Sequence, residues 1–136
     1  MCYSIGSLNH LPALARRVLL VEDNPDTLRA LTRLLTLDGY QVLPAPNVER
    51  ALEQLVLQPD FVITDLMLPD GTGLDVLRRL RDREDFIPVA IYTGASDERV
   101  RDAAAAGAGA IFRKPLGLDD LRAWLKDPRQ AHAQIA

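Results

Sequence analysis

Five short apolar runs recur along the chain, and a stretch with helical spacing follows each one. The first run is "VLLVE" (18–22). After it, Pro25 suits the first turn of a helix, and Leu28, Leu31, Leu34 and Leu35 share one helical face until "DGY" stops the pattern. The second run is "YQVLP" (40–44), whose Pro44 marks an edge strand or a strand end. Asn47 is placed to cap the next helix, "VERALEQLV". The third run is "FVIT" (61–64), after which a "DGTG" turn leads into "LDVLRRLRD", apolar on one side and basic on the other. The fourth is "IPVAIYT" (87–93), with Ser96 or Asp97 as the cap of "ERVRDAAAA", which ends at Gly107. The fifth is "AIFR" (110–113), and the helix "LDDLRAWLK" stops before Pro128.

Strict alternation of strands and helices predicts an α/β protein with a five-stranded parallel sheet and helices on both faces. The strands are almost continuously apolar, as parallel strands covered on both sides are. The alanines at 103–106 predict a helix face packed close to the sheet.

In such sheets ligands bind beyond the carboxyl ends of the strands. Four of the five predicted strands carry a reactive residue there: Glu22 and Asp23 after the first, Asp65 after the third, Thr93 at the end of the fourth and Lys114 after the fifth. Asp65 lies between two apolar runs, where an unpaired charge is costly. Three carboxylates on one rim repel one another and call for a cation. Oxygen ligands alone suit Mg²⁺, with Mn²⁺ as a substitute, and the lack of a Cys/His cluster speaks against zinc. A lysine and a threonine beside such an ion could hold a phosphoryl group, and a carboxylate can serve as the nucleophile that accepts it. Asp65 is the candidate nucleophile.

Composition narrows the classes further. The length of 136 residues fits one domain, and 48% apolar with 26% charged residues is ordinary for a globular one. A net charge of −3 gives no general affinity for nucleic acid or anionic membrane. The single cysteine, Cys2, allows no internal disulfide, which fits a reducing, cytoplasmic setting. No apolar run reaches a membrane span. Residues 1–17 lack a basic start and are broken by Asn9, His10 and Pro12, so they are expected to be an extension or a short helical arm rather than a signal peptide. The expected organisation is an extension at 1–17, one domain at 18–127 and a tail at 128–136.

The segments "LLVEDN" (19–24), "VITDLMLPDGTGLDVL" (62–77), "AIYTGAS" (90–96) and "GAGAIFRKP" (107–115) together resemble, in order and spacing, the receiver domain of bacterial two-component response regulators. The resemblance implies a doubly wound, flavodoxin-like sheet in the order 2-1-3-4-5. It implies that Asp65 takes a phosphoryl group from a sensor histidine kinase or a histidine phosphotransfer protein. It further implies that Asp23 binds Mg²⁺ directly, that Glu22 acts nearby through water, and that the backbone carbonyl of Met67 completes the metal shell. Thr93 would hydrogen-bond one phosphoryl oxygen and Lys114 would pair with another. The Lys114–Pro115 bond would be cis. A downstream protein would read the state on the face of the fourth helix, fifth strand and fifth helix. Direct contact with nucleic acid or membrane is not expected, nor is catalysis beyond the chain's own phosphotransfer and autodephosphorylation.

One position departs from the family. The aromatic residue often found three places before the lysine is Ile111 here. Phe112 is adjacent, but successive strand residues face opposite sides, and Tyr92 has the same relation to Thr93. The usual coupling of threonine and aromatic is therefore in question. This keeps open a receiver-like interaction module that is never phosphorylated, beside a phosphorelay intermediate or phosphate sink. A Mg²⁺-dependent phosphatase with an aspartyl nucleophile fits less well, because the second acid such enzymes place two residues on is Met67 here. The segment "PRQAHAQIA" (128–136) is too short for a helix-turn-helix domain, so the expectation is a stand-alone receiver or a piece of a larger protein. Asp70 and Asp75 are expected as turn and exposed helix residues, Gly71 and Gly73 as turn formers, the arginines at 78, 79, 81 and 83 as a solvated face, and Trp124 as a packing anchor.

Overall fold

The computed structural model describes residues 15–128. Most of the expected extension and tail, with Cys2, His10 and His132, lie outside the described residues. Five parallel strands form the sheet: β1 (Arg17–Val21), β2 (Gln41–Ala45), β3 (Phe61–Thr64), β4 (Val89–Thr93) and β5 (Ala110–Arg113). Their spatial order is β2-β1-β3-β4-β5, the doubly wound order expected. The helices are α1 (Pro25–Leu37), α2 (Val48–Gln54), α3 (Gly73–Asp82), α4 (Asp97–Ala105) and α5 (Leu118–Lys126).

Alternate strand residues feed two separate cores. Val18, Leu20, Phe61, Ile63, Tyr92 and Phe112 pack with Leu31 and Leu35 of α1 and with Leu121, Trp124 and Leu125 of α5. Leu19, Val21, Val62, Ile91 and Ile111 pack on the other side with α2, α3 and α4. Trp124 is the anchor expected, 2% exposed, with its ring 6.2 Å from those of both Phe61 and Phe112.

The helix starts follow their caps. Asn24, Asn47 and Ser96 each turn a side-chain oxygen to the first backbone amides of α1, α2 and α4. Pro44 sits in the edge strand β2, where a missing N–H costs least. Gly107 takes φ +104° beyond the end of α4, a conformation that favours glycine. Within the alanine run only Ala103 is fully buried and Ala104 partly so, while Ala105 and Ala106 are exposed. The close-packed face is thus narrower than the run itself.

The turn after β3 is more structured than its glycines and prolines suggest. Met67–Leu68 and Gly71–Thr72 form a small antiparallel hairpin. Thr72 then caps α3 in a reciprocal box with Asp75.

Candidate functional site

The carboxyl ends of β1, β3, β4 and β5 meet at one rim. Asn24 caps α1 through its side chain, with Oδ1 accepting from the amides of Asp26 and Thr27 at 3.0 Å. That leaves the neighbouring Asp23 carboxylate outside the helix cap. Glu22 is buried at 3% exposure and Asp65 at 9%, while Asp23 is exposed at the lip. Ligand oxygens of the three lie within 4.8 Å of one another, close enough to hold a single cation.

Lys114 reaches into the same pocket from beyond β5. Its ammonium donates to Asp65 Oδ2 at 2.9 Å and to Glu22 Oε1 in a closer contact. Burial pushes the ammonium's pKa down, but the hydrogen bonds to Glu22 and Asp65 push it up, and the net displacement is upward. Three carboxylates against one ammonium leave the pocket two negative charges in excess. The donor set therefore fits a hard divalent ion on its own chemistry.

The second oxygen of Asp65 is also held. The Thr93 hydroxyl donates to Oδ1 at 2.6 Å and accepts from the Ala95 amide at 3.1 Å. The Met67 amide donates to the same Oδ1 at 3.2 Å. Thr93 is fully buried. Asp65 is thus no unpaired charge between two apolar runs: one oxygen faces the ammonium and the other faces a hydroxyl and an amide.

The side chains of Glu22, Asp23, Asp65, Thr93 and Lys114 converge, Met67 meets Asp65 through its backbone amide, and Ile111 lies away from them. Ile111 is fully buried in the aliphatic core, level with Ile91. Phe112 points to the opposite side, against Trp124. The Lys114–Pro115 bond is cis.

Three contributors were not expected from the sequence. Asp70 is more than a turn residue, since Oδ1 accepts from the Val48 amide at 2.8 Å and Oδ2 from the Glu49 amide at 2.9 Å. These bonds to the start of α2 hold its carboxyl below the usual range. Gly73 is more than a turn former. A Cβ there would lie 2.4 Å from the Asp65 carbonyl oxygen and 2.9 Å from Thr64 Cγ2, so only glycine lets α3 start against the end of β3. Tyr92 turns away from Thr93, as strand alternation requires, and its ring centroid lies 5.6 Å from Lys114 Nζ. An aspartate 22 residues from its partner amide leaves no local signal, and neither does a glycine that meets another element.

A doubly wound parallel sheet with an acidic, lysine-closed pocket on its carboxyl rim defines a flavodoxin-like α/β domain whose carboxylate cluster has the chemistry to suit a hard cation. Residues 18–126 match the response regulator receiver domain, and the chain belongs to that family of two-component signalling domains. It is 37% identical over 118 residues to the KDP operon transcriptional regulatory protein KdpE of Escherichia coli, covering 85% of this chain and 52% of that protein. It is 41% identical over 112 residues to the transcriptional regulatory protein KdpE of Mycobacterium tuberculosis, covering 80% and 49%. The chain therefore spans about half the length of these curated relatives. A receiver domain structure from Clostridium thermocellum superposes with a TM-score of 0.74 at 29% identity, covering 82% of this chain and 92% of that one. Among the described residues no helix is long and apolar enough to cross a membrane.

Proposed function

We propose that this chain is a phosphoryl-accepting receiver, with residues 18–127 as the working unit and Asp65 as the acceptor. The observation that carries this is the placement of Lys114 between Glu22 and Asp65 while Thr93 holds the other Asp65 oxygen. An Asp65 carboxylate oxygen attacks phosphorus, the bond from phosphorus to the histidine nitrogen of a sensor kinase or phosphotransfer protein breaks, and that nitrogen keeps the electron pair. Mg²⁺, when bound, neutralises charge on the transferring oxygens. Asp23 would ligate the ion directly, Glu22 through water, and Met67 through its backbone carbonyl. Lys114 and Thr93 exchange their contacts with Asp65 for contacts with phosphoryl oxygens, so the pocket is already arranged for the product. Catalysis stays confined to the chain's own phosphorylation and dephosphorylation.

The output surface is the face of α4, β5 and α5, read by a downstream protein. No direct nucleic-acid contact is assigned to this unit. The relatives named transcriptional regulators extend well beyond it. Ile111 favours a second reading, a receiver-like module that binds partners without phosphorylation, because no aromatic side chain at that position can follow Thr93.

Incubation with acetyl phosphate and Mg²⁺, read by intact mass, separates the two. A phosphoryl adduct that needs Mg²⁺ and disappears in Asp65→Asn is expected. A folded protein that takes no phosphoryl group from acetyl phosphate or from histidine kinases would point to the unphosphorylated module.

A further inference from the structure

We propose that Tyr92 is a positioning residue of the phosphoryl site, its ring holding the Lys114 ammonium in register with Glu22 and Asp65. The proposal rests on the phosphoryl-accepting reading and adds a residue to it. Lysine carries its charge on a flexible four-carbon stem with three rotatable N–H donors, so it needs restraint to act as a fixed charge. Two restraints are the carboxylates of Glu22 and Asp65. The ring face of Tyr92 closes a further side, with the ammonium 5.6 Å above its centroid, inside the range in which the negative face of an aromatic ring attracts a cation.

The ring is itself fixed. Tyr92 is 5% exposed and belongs to the core under α1 and α5, with Phe112 and Trp124. Its neighbour Thr93 points the other way and bonds Asp65 at 2.6 Å. Two consecutive residues of β4 therefore grip the site from both faces of the sheet, Thr93 through Asp65 and Tyr92 through Lys114. The two grips differ in kind. A phosphoryl group arriving on Asp65 must take over the ammonium's hydrogen bonds from the carboxylates, whereas the ring face attracts the ammonium's charge without using up one of its N–H donors, so it does not compete in that exchange. The aromatic residue absent at Ile111 is thus not replaced at the threonine. The aromatic at this site acts on the lysine instead.

The test uses the full chain. Tyr92→Leu removes the ring and keeps an apolar side chain, and Tyr92→Phe keeps the ring. In the unphosphorylated protein the NMR signals of the Lys114 ε-methylene are expected to be shifted upfield by the ring, to stay so in Tyr92→Phe, and to move to the ordinary lysine position in Tyr92→Leu. Phosphorylation by acetyl phosphate with Mg²⁺ is expected to slow by about 3- to 10-fold in Tyr92→Leu, the scale of a partly desolvated cation–π contact, and to be rescued in Tyr92→Phe. In a Lys114→Met background Tyr92→Leu is expected to cost nothing more. A Lys114 signal with no upfield shift in the wild type overturns the contact. An equal loss of rate in both lysine backgrounds overturns the positioning role, since the ring would then act through packing alone. If the wild type takes up no phosphoryl group from acetyl phosphate or from histidine kinases, the phosphoryl-accepting reading fails, and the NMR signals still decide whether the ring holds the ammonium.

Discussion

At the scale of single residues the site is a balance of charge. Lys114 offsets part of the repulsion among Glu22, Asp23 and Asp65, so its removal leaves buried Glu22 without its counter-charge. Lys114→Met is expected to lower stability in the absence of divalent ions by about 1–3 kcal/mol, the cost of leaving a buried polar group unsatisfied. The gain in melting temperature on adding Mg²⁺ should then be larger than in the wild type, because the ion takes over the missing positive charge. A Mg²⁺ increment smaller than that of the wild type would contradict this balance. Gly73 sets a steric condition on the same site. Gly73→Ala forces a methyl group to within 2.4 Å of the Asp65 carbonyl oxygen, so either α3 or the end of β3 must shift. Overpacking of this kind costs about 1–3 kcal/mol, and phosphorylation should slow with it. A variant with wild-type melting and wild-type rate would show that the helix start can yield.

At the scale of elements, side chains far apart in sequence tie helices to their neighbours. Asp70 joins the loop that follows Asp65 to the first amides of α2, and Asp38 beyond α1 forms two hydrogen bonds at 2.8 Å with Arg122 of α5. Both carboxyls are held below their usual pKa, Asp70 by the backbone amides of Glu49 and Val48 and Asp38 by the Arg122 guanidinium. A depressed carboxylate contributes stability that is complete above its unfolded pKa and is lost as pH falls through the folded value. Stability should therefore be flat near neutral pH and fall once the pH drops below about 4, the unfolded carboxylate range. Asp70→Asn should flatten part of that acid limb and speed amide exchange at Val48 and Glu49. Unchanged exchange at those amides would remove Asp70 as a cap.

These ties also mark where sequence stops being informative. The caps at Asn47 and Ser96 were legible because a cap and its helix are adjacent in the chain. Asp70 was not, since an aspartate in "LPDG" has a sufficient local role as a turn residue and its second role depends on where α2 lands. Tyr92 was legible only as a residue on the wrong side of the sheet for Thr93. That its ring would meet Lys114 depends on the path the chain takes after β5.

At the scale of the whole molecule the topology was legible because apolar runs of strand length alternate with helical spacing from one end of the domain to the other. The site followed from topology, since a parallel sheet brings the ends of β1, β3, β4 and β5 to one rim whatever their separation in sequence. Folding thereby brings the carboxylates of Glu22, Asp23 and Asp65 together from segments about forty residues apart, and ion binding at the proposed site should act back on folding. At a Mg²⁺ concentration a hundred times the dissociation constant the native state gains about 2.7 kcal/mol. Asp23→Asn should shift the Mg²⁺ dependence of the melting temperature to higher concentration. Identical titrations in both proteins would exclude Asp23 as a ligand.

The division of the core into two chemically unlike halves has an optical consequence. Tyr40, Phe61, Tyr92, Phe112 and Trp124 all lie on the α1 and α5 side, whereas the side covered by α2, α3 and α4 is aliphatic. The sequence contains one tryptophan, so its emission is a built-in reporter of a single face of the sheet. A rearrangement carried by Lys114 and Tyr92 changes the surroundings of that indole. One confined to Thr93, Ile111 and α4 occurs behind the sheet and leaves the spectrum as it was.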